Sequence, residues 1–141
     1  MVDKPFRVLV VGGGFGGLQA VKALAGADTQ ITLVDQQNYH LFQPLNYQVA
    51  TGSLSPGDIA IPLRHIFRRR RDVQVVMGRA RKFDLERRQV SLAPTAAGEH
   101  EVTLQYDALV VAGGSSYAYF GHEEWRSSAL EVKSLDSALR V

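Results

Sequence analysis

The sequence predicts an α/β fold built on a parallel β-sheet, and three observations lead to this prediction. Short apolar runs at residues 7–11, 30–34 and 73–77 are typical of buried parallel strands. A glycine-rich segment at 12–17 follows the first run directly, and apolar residues at helical spacing follow that segment. Three more short runs, at 80–85, 89–93 and 102–105, indicate an antiparallel meander joined to the parallel sheet.

Composition excludes several classes of function. The chain has 141 residues, about one domain, and its formal net charge of +2 is too small to predict nucleic acid as a partner. No apolar stretch reaches the roughly 20 residues of a membrane span, and the N-terminus does not resemble a signal peptide, so we expect a cytoplasmic location. Because the sequence has no cysteine, these residues hold no thiolate nucleophile, zinc–thiolate site or redox disulfide.

The first strand, the glycine-rich segment and the helix after it have the spacing Gly12-x-Gly14-x-x-Gly17. In this context the spacing is typical of a dinucleotide-binding turn in a Rossmann-like fold. We expect Gly12 to form a tight turn, Gly14 to admit a pyrophosphate close to the backbone, and Gly17 to let the helix pack on the strand. Phe15 and Gly16 lie in the same turn, at a helix N-terminus that offers N–H groups to phosphates.

Asp35 ends the second strand, 18 residues beyond Gly17. A carboxylate at this position accepts hydrogen bonds from ribose hydroxyls and repels a 2′-phosphate, which predicts FAD or NAD rather than NADP. Gln36, the next residue, is a further candidate. The alternative interpretation is a glycine-rich turn that binds no ligand.

The segment at 36–50 is rich in aromatic and amide side chains, and a short helix is predicted near residues 45–50. Two interpretations of its aromatic residues stay open, core packing or the lining of a flat ligand: Tyr39, Phe42 and Tyr47. A turn and N-cap are predicted at 53–58, and Pro62 suits the first turn of a helix continuing through Phe67. The four arginines at 68–71 are either a solvated helix end or a site for acidic lipid or nucleic acid.

A last buried strand is predicted within residues 106–115, and it enters a turn with two adjacent glycines, Gly113 and Gly114. Such small residues let backbone pass close to a cofactor. Turns are predicted at 86–88 and 94–100. The aromatic residues beyond the strand belong either to an interface or to the core: Tyr117, Tyr119, Phe120 and Trp125.

These motifs resemble the N-terminal portion of type II NADH dehydrogenases, flavoproteins of the pyridine nucleotide–disulfide reductase superfamily. The most specific part is Asn-Tyr-His-Leu-Phe-Gln-Pro-Leu at 38–45, since the glycine turn is shared by the whole superfamily. Similar runs occur at 47–52, 54–56 and 106–122, so the likeness covers nearly the whole chain. Two positions depart from the family pattern: Asn46 stands in place of a leucine-like residue and Gly113 in place of a threonine.

The resemblance implies that the glycine turn and Asp35 hold the adenosine half of FAD, and that the segment with Gln43 and Pro44 approaches the isoalloxazine. It also implies that the backbone near Arg79 touches adenine, and that the turn after the last strand passes the pyrophosphate. The cofactor-binding candidates are Gly12, Gly14, Phe15, Gly16, Gly17, Asp35, Gln36, Gln43, Pro44, Thr51, Arg79, Ala80, Ala112, Gly113 and Gly114. No catalytic residue is predicted, and the four scattered histidines predict no metal site.

In the family, NADH reduces the flavin and the flavin reduces a quinone. The resemblance further implies a second glycine-rich unit for NADH and C-terminal membrane-docking helices, which these residues lack. We therefore expect residues 1–141 to be the N-terminal portion of an FAD-binding domain, inactive alone, with NADH and quinone as partners of a complete protein on the inner membrane face.

Two other expectations follow. Surface left uncovered by the absent segments is expected to favour a homo-oligomer. The alternative function is a non-catalytic dinucleotide-binding module that acts through a partner or an oligomer. An ordinary NAD-dependent enzyme is disfavoured by the meander and by the lack of a Ser/Tyr/Lys set. The absence of cysteine disfavours the disulfide reductases and sulfide-oxidising quinone reductases.

Overall fold

The computed structural model describes residues 4–93 and 101–141. Its helices and strands are, in chain order, β1 (Phe6–Val11), α1 (Phe15–Ala23), β2 (Thr29–Asp35), β3 (Tyr39–Leu41), α2 (Asn46–Ala50), α3 (Pro56–Ile59), β4 (Ala60–Pro62), α4 (Leu63–Ile66), β5 (Val73–Met77), β6 (Ala80–Asp84), β7 (Gln89–Leu92), β8 (Val102–Gln105), β9 (Ala108–Val111) and α5 (Leu135–Ala138). The chain divides into two compact units, one of residues 1–40 and 62–113 and the other of residues 41–61 and 114–141.

The first unit contains the predicted parallel sheet, with strand order β5-β2-β1-β9 and every pair parallel. Successive side chains of β1 alternate between the two faces, as in any strand. Val8 and Val10 pack with α1 on one face, whereas Leu9 packs on the other. The predicted third core strand, β5, lies at the sheet edge, so its side chains are at most half-buried.

The antiparallel meander is confirmed as a three-stranded sheet of order β6-β7-β8. Val90 and Leu92 alternate with polar residues and are buried against Leu9 and Val34 of the parallel sheet. The predicted turn at 86–88 is present, with Arg88 at φ 52°. The predicted turn at 94–100 lies outside the described residues.

The helix predicted to begin at Pro62 is shorter than expected. Pro62 is the N-cap of α4 rather than a residue of its first turn. Phe67 follows α4 and donates its N–H to the Leu63 carbonyl at 3.1 Å, so the helical turn continues for one residue. Leu63 and Phe67 are buried with the α1 face of the sheet.

The second unit packs α2, α3 and α5 around a small apolar cluster of Val49, Ile59 and Ala138. The predicted N-cap is present, since Asp58 accepts hydrogen bonds from the Ser55 N–H and hydroxyl at 2.8 and 2.7 Å. Asn46, which departs from the family pattern, is fully buried at the start of α2. Its amide donates to the carbonyls at 132 and 133, at 3.3 and 3.1 Å, so a polar residue links two segments here.

The aromatic residues of this unit differ in burial. Tyr119 is core, and its hydroxyl donates to the Ala129 carbonyl at 3.0 Å. Core packing is the wrong interpretation for five others, which are exposed large side chains: Phe42, Tyr47, Tyr117, Phe120 and Trp125.

Within residues 4–93 and 101–141, the helices are all too short or too polar to cross a bilayer. In the same ranges, no group of three or more histidine and acidic side chains is arranged to hold a metal ion.

Candidate dinucleotide-binding site

The carboxyl ends of the parallel strands meet along one edge of the sheet in the first unit. Backbone hydrogen bonds join the segments that leave these strands: Gly12 donates to Val34 at 2.7 Å, and Ala112 donates to Val11 at 2.7 Å. Gly78 donates to the Asp35 carbonyl at 2.8 Å. In open α/β sheets this carboxyl edge is where ligands bind.

Two glycines of the turn are required by close packing. Gly12 has φ 106°, and a Cβ there would overlap the Ala112 carbonyl oxygen. A Cβ on Gly17 would overlap the Gly12 carbonyl oxygen. The backbone of β9, the turn and the first turn of α1 are therefore packed together without room for side chains.

Gly14 is different, because a Cβ built on it meets no atom within 4 Å. The residue is exposed, has φ −69° and ψ −165°, and is the N-cap of α1. Its carbonyl accepts the N–H of Leu18 at 2.9 Å, so the helix begins here. The first N–H groups of a helix lack intrahelical acceptors and carry the positive end of the helix dipole. This open backbone at a helix N-terminus is suited to an anion.

Asp35 faces the same turn. Its Oδ2 accepts the Gly13 N–H at 2.6 Å, and its Oδ1 accepts the Gln37 N–H at 2.7 Å. The side chain is partly exposed, and each carboxylate oxygen has a second lone pair. Asp35 therefore holds the turn and still has acceptor capacity for hydroxyl groups.

Sequence reasoning missed two residues of this site, Gly13 and His40. His40 is 7% exposed, and its Nδ1 lies 3.0 Å from the Gly13 carbonyl oxygen. Because a carbonyl only accepts, Nδ1 carries the proton. The Phe15 ring meets the imidazole edge-on, with centroids 5.0 Å apart. Leu63 closes the other side, since its Cδ1 would lie 2.5 Å from a Cβ on Gly13.

The other candidates of the first unit surround this edge less directly. Gln36 and Gly113 are exposed and follow the ends of β2 and β9. Arg79 is exposed after β5, and its carbonyl accepts the Ala93 N–H at 2.8 Å. Ala80 packs against the buried cluster that joins the meander to the sheet.

The remaining candidates belong to the second unit. Gln43 and Pro44 are exposed in a short 3₁₀ helix, Gln43–Leu45. The Thr51 hydroxyl donates to the Tyr47 carbonyl at 3.1 Å, at the end of α2. Gly114 has φ 71°, in the left-handed region that glycine adopts easily.

A parallel sheet, a glycine turn at a helix N-terminus and an acid on the next strand define the class of dinucleotide-binding α/β domains. The model of the pyridine nucleotide-disulphide oxidoreductase family matches residues 6–141, and the chain belongs to this family.

Relatives and solved structures agree with this assignment. The chain is 44% identical over 135 residues to the type II NADH:quinone oxidoreductase NdhA of Mycobacterium tuberculosis, a match covering 96% of this chain and 28% of that protein. It is 31% identical to a mitochondrial external alternative NAD(P)H-ubiquinone oxidoreductase B1 of Solanum tuberosum, over 99% of this chain and 25% of that one. The chain thus spans less than a third of either relative.

The fold prediction is confirmed by a solved structure of NDH2 from Plasmodium falciparum. The two chains superpose with a TM-score of 0.87 at 22% identity, over 97% of this chain and 28% of the other. At this identity the likeness establishes the fold alone.

Proposed function

We propose that this chain is the FAD-binding N-terminal portion of a flavoprotein that passes electrons from NADH to a quinone. The observation that carries the proposal is the open backbone at Gly14, at the N-terminus of α1 and beside Asp35. A diphosphate needs N–H donors without a competing side chain, and the ribose next to it needs an acceptor. The likeness to type II NADH:quinone oxidoreductases supports the choice of reaction.

The roles proposed for the first unit follow from this geometry. The diphosphate would lie against Gly14 and the first turn of α1, including Phe15 and Gly16, with Ala112 and Gly113 alongside. Asp35, next to Gln36, would accept the adenosine ribose hydroxyls and disfavour a 2′-phosphate. The backbone at Arg79 and Ala80 would meet the adenine. Packing requires Gly12 and Gly17 to be glycine, so these two shape the turn.

The second unit would serve the flavin end of the cofactor. Gln43 and Pro44 are exposed, as residues that meet a ligand must be in its absence. We propose that they contact the isoalloxazine, with Thr51 and Gly114 as further contacts. FAD, when bound, would supply hydride and electron transfer, and this chain's residues would bind and orient it.

The chain spans 28% of its Mycobacterium tuberculosis relative, so NADH and quinone are proposed as partners of a complete protein. Residues 1–141 would then form part of its FAD-binding domain. Attachment of that complete protein to the inner membrane face is a further proposal, supported by the quinone named for the relative. We expect little NADH oxidation by the 141 residues alone.

Equilibrium titration followed by flavin fluorescence tests the proposal. We expect the chain to bind FAD, and ADP in competition with it, whereas FMN, which lacks the adenosine half, should bind at least about tenfold more weakly. NAD should compete better than NADP because Asp35 repels the 2′-phosphate.

The variant Gly14→Ala tests the role of the open backbone directly. Its Cβ points into open space in the protein alone. This variant should fold normally and bind FAD more weakly, because the methyl group occupies the place of the diphosphate. Absence of FAD and ADP binding to the wild-type chain at millimolar concentration would contradict the proposal.

The alternative is a non-catalytic dinucleotide-binding module that acts through a partner or an oligomer, and exposed apolar side chains in the second unit favour its oligomeric form. Phe120 is 92% exposed and Leu130 is 60% exposed. Exposed apolar side chains mark association surfaces where they form a contiguous patch. Light scattering should then show a mass that rises with concentration, and Phe120→Ser should reduce it. A constant monomer mass would exclude the oligomeric form of this alternative.

A further inference from the structure

Two carbonyl groups of the glycine turn point into the protein. The Gly12 oxygen faces the Cα of Gly17, and the Gly13 oxygen faces Nδ1 of His40 at 3.0 Å. A carbonyl oxygen carries partial negative charge and repels a phosphate. Turning both oxygens inward therefore removes the groups that would oppose an anion at this turn.

The direction of the Gly13 carbonyl also determines the direction of the next amide. The C=O and N–H of a trans peptide point in opposite directions, and the described residues contain no cis peptide. Because the Gly13 carbonyl points to buried His40, the N–H of Gly14 points away from it. Gly14 is exposed and has open space around its Cα.

The opposite orientation of this peptide is the relevant competitor. A flip would aim the Gly13 carbonyl outward and the Gly14 N–H at the imidazole. Glycine-rich backbone permits such flips because neither residue has a Cβ. The Gly13 N–H is already held by Asp35 at 2.6 Å, on the preceding peptide. The hydrogen bond from His40 is the contact that selects between the two orientations of the Gly13–Gly14 peptide.

We propose that His40 is a positioning residue for diphosphate binding: by donating Nδ1–H to the Gly13 carbonyl, it aims the Gly14 amide at the ligand. The inference rests on the proposed function for the identity of the ligand. His40 itself is buried and lies behind the turn, so it acts through the peptide and not by touching a phosphate.

The surroundings of His40 suit this role. The ring is fixed by the edge of Phe15, and the Gly13 carbonyl is a partner that a buried imidazole needs. A leucine would fill similar space but leave the carbonyl unpaired. An asparagine carries an amide nitrogen at the same distance along the side chain as Nδ1, so it keeps the donor.

Affinities for ADP and for adenosine, measured by calorimetry or NMR titration on the full 141-residue chain, test the proposal. We expect His40→Leu to weaken ADP binding about tenfold, the size expected for losing one aligned hydrogen bond to a charged group. His40→Asn should stay within about threefold of wild type. Adenosine, which lacks the diphosphate, should bind all variants equally. His65→Leu, at an exposed histidine of the same unit, is the matched control and should change neither affinity.

A second measurement does not depend on the ligand. Nitrogen-15 NMR of the histidine rings should show the Nδ1–H tautomer for His40. The Nε2–H tautomer would overturn the proposal, and so would equal ADP affinity of wild type and His40→Leu. If His40→Leu does not fold, a roughly tenfold loss of ADP affinity in His40→Asn, which keeps the donor, would overturn it instead. Failure of the wild-type chain to bind ADP would instead refute the proposed function.

Discussion

The amino ends and the carboxyl ends of the parallel strands differ in the partners of their polar groups. We call these two ends the amino edge and the carboxyl edge of the sheet. At the amino edge, side chains neutralise one another: Arg7, near the start of β1, pairs with Asp107, just before β9, with Nη2 2.9 Å from Oδ1. Arg70 and Asp72 form a second pair where β5 begins. At the carboxyl edge, Asp35 instead accepts two backbone amides, and the backbone at Gly14 is open.

Hydrogen bonding to arginine lowers the pKa of two carboxyl groups at the amino edge. Hydrogen bonds from the Arg7 side chain and then its backbone N–H lower the pKa of Asp107 to about 2. A side-chain hydrogen bond from Arg70 lowers the pKa of Asp72 in the same way. Each of these carboxylates is paired with an arginine, so each pair carries no net charge.

Under the proposed function, one sheet would separate stability from binding. Parallel strands place all their carboxyl ends together, and glycine there lets backbone replace side chains as the binding surface. At the amino edge, by contrast, the side chains of ion pairs also occupy backbone groups, since Asp107 accepts the Arg7 N–H at 2.8 Å. Substitutions at the two edges should therefore have effects of different kinds.

The largest effect is expected for Gly17→Ala at the carboxyl edge. The new Cβ would overlap the Gly12 carbonyl oxygen, which is backbone and unable to move aside without displacing α1. We expect a loss of about 3 kcal/mol or more in the free energy of unfolding, with ADP binding abolished. Urea denaturation measures the first and calorimetry the second.

Gly16→Ala is the matched control for this variant. Its Cβ would lie 3.6 Å from the Ala112 Cβ, an ordinary van der Waals contact. Its unfolding free energy should stay within about 1 kcal/mol of wild type. If Gly16→Ala and Gly17→Ala lose the same stability, close packing of Gly17 on the turn is not the reason for its glycine.

A smaller effect, confined to stability, is expected for Asp107→Asn at the amino edge. The pKa of Asp107 is lower in the folded chain than its ordinary value of 3.8. Its contribution to stability is therefore present at neutral pH and is lost as pH falls from about 4 to about 2. Wild type should be more stable than the variant at pH 7, and this difference should shrink towards pH 2.

Denaturant midpoints of the two proteins at pH 7 and pH 2.5 measure this change, and ADP affinity at pH 7 should be equal. A stability difference independent of pH would mean that the Arg7–Asp107 pair contributes through packing rather than charge. Weaker ADP binding in Asp107→Asn would break the separation between the two edges.

Much of the first unit could be predicted because its signals are local. The apolar run of β1, the glycine spacing and Asp35 follow each other within 30 residues, and each has its own steric or electrostatic reason. The meander could be predicted equally well, since Val90 and Leu92 alternate with polar residues as half-buried strands do. Cofactor roles for these residues stay predictions.

The contacts that sequence reasoning missed join residues distant in the chain. His40 reaches Gly13 across 27 positions, and Asn46 reaches the carbonyl of Val132 across 86. Nothing in the local pattern around His40 distinguishes a buried donor from a surface histidine. The edge position of β5 was missed for the same reason, because strand order is not written in the strand itself.

The sequence by itself determined the succession of the parallel strands, α1 and the meander along the chain, the need for glycine at 12 and 17, and the acid at the end of β2. These depend on backbone sterics and on periodicities of two and 3.6 residues, which act between near neighbours. Only the tertiary structure decided that the Gly13 carbonyl turns inward to His40 and that Asp35 holds the Gly13 amide. The direction of a peptide plane depends on which groups surround it in space, and in this chain those groups come from two separate strands, Asp35 from β2 and His40 from β3.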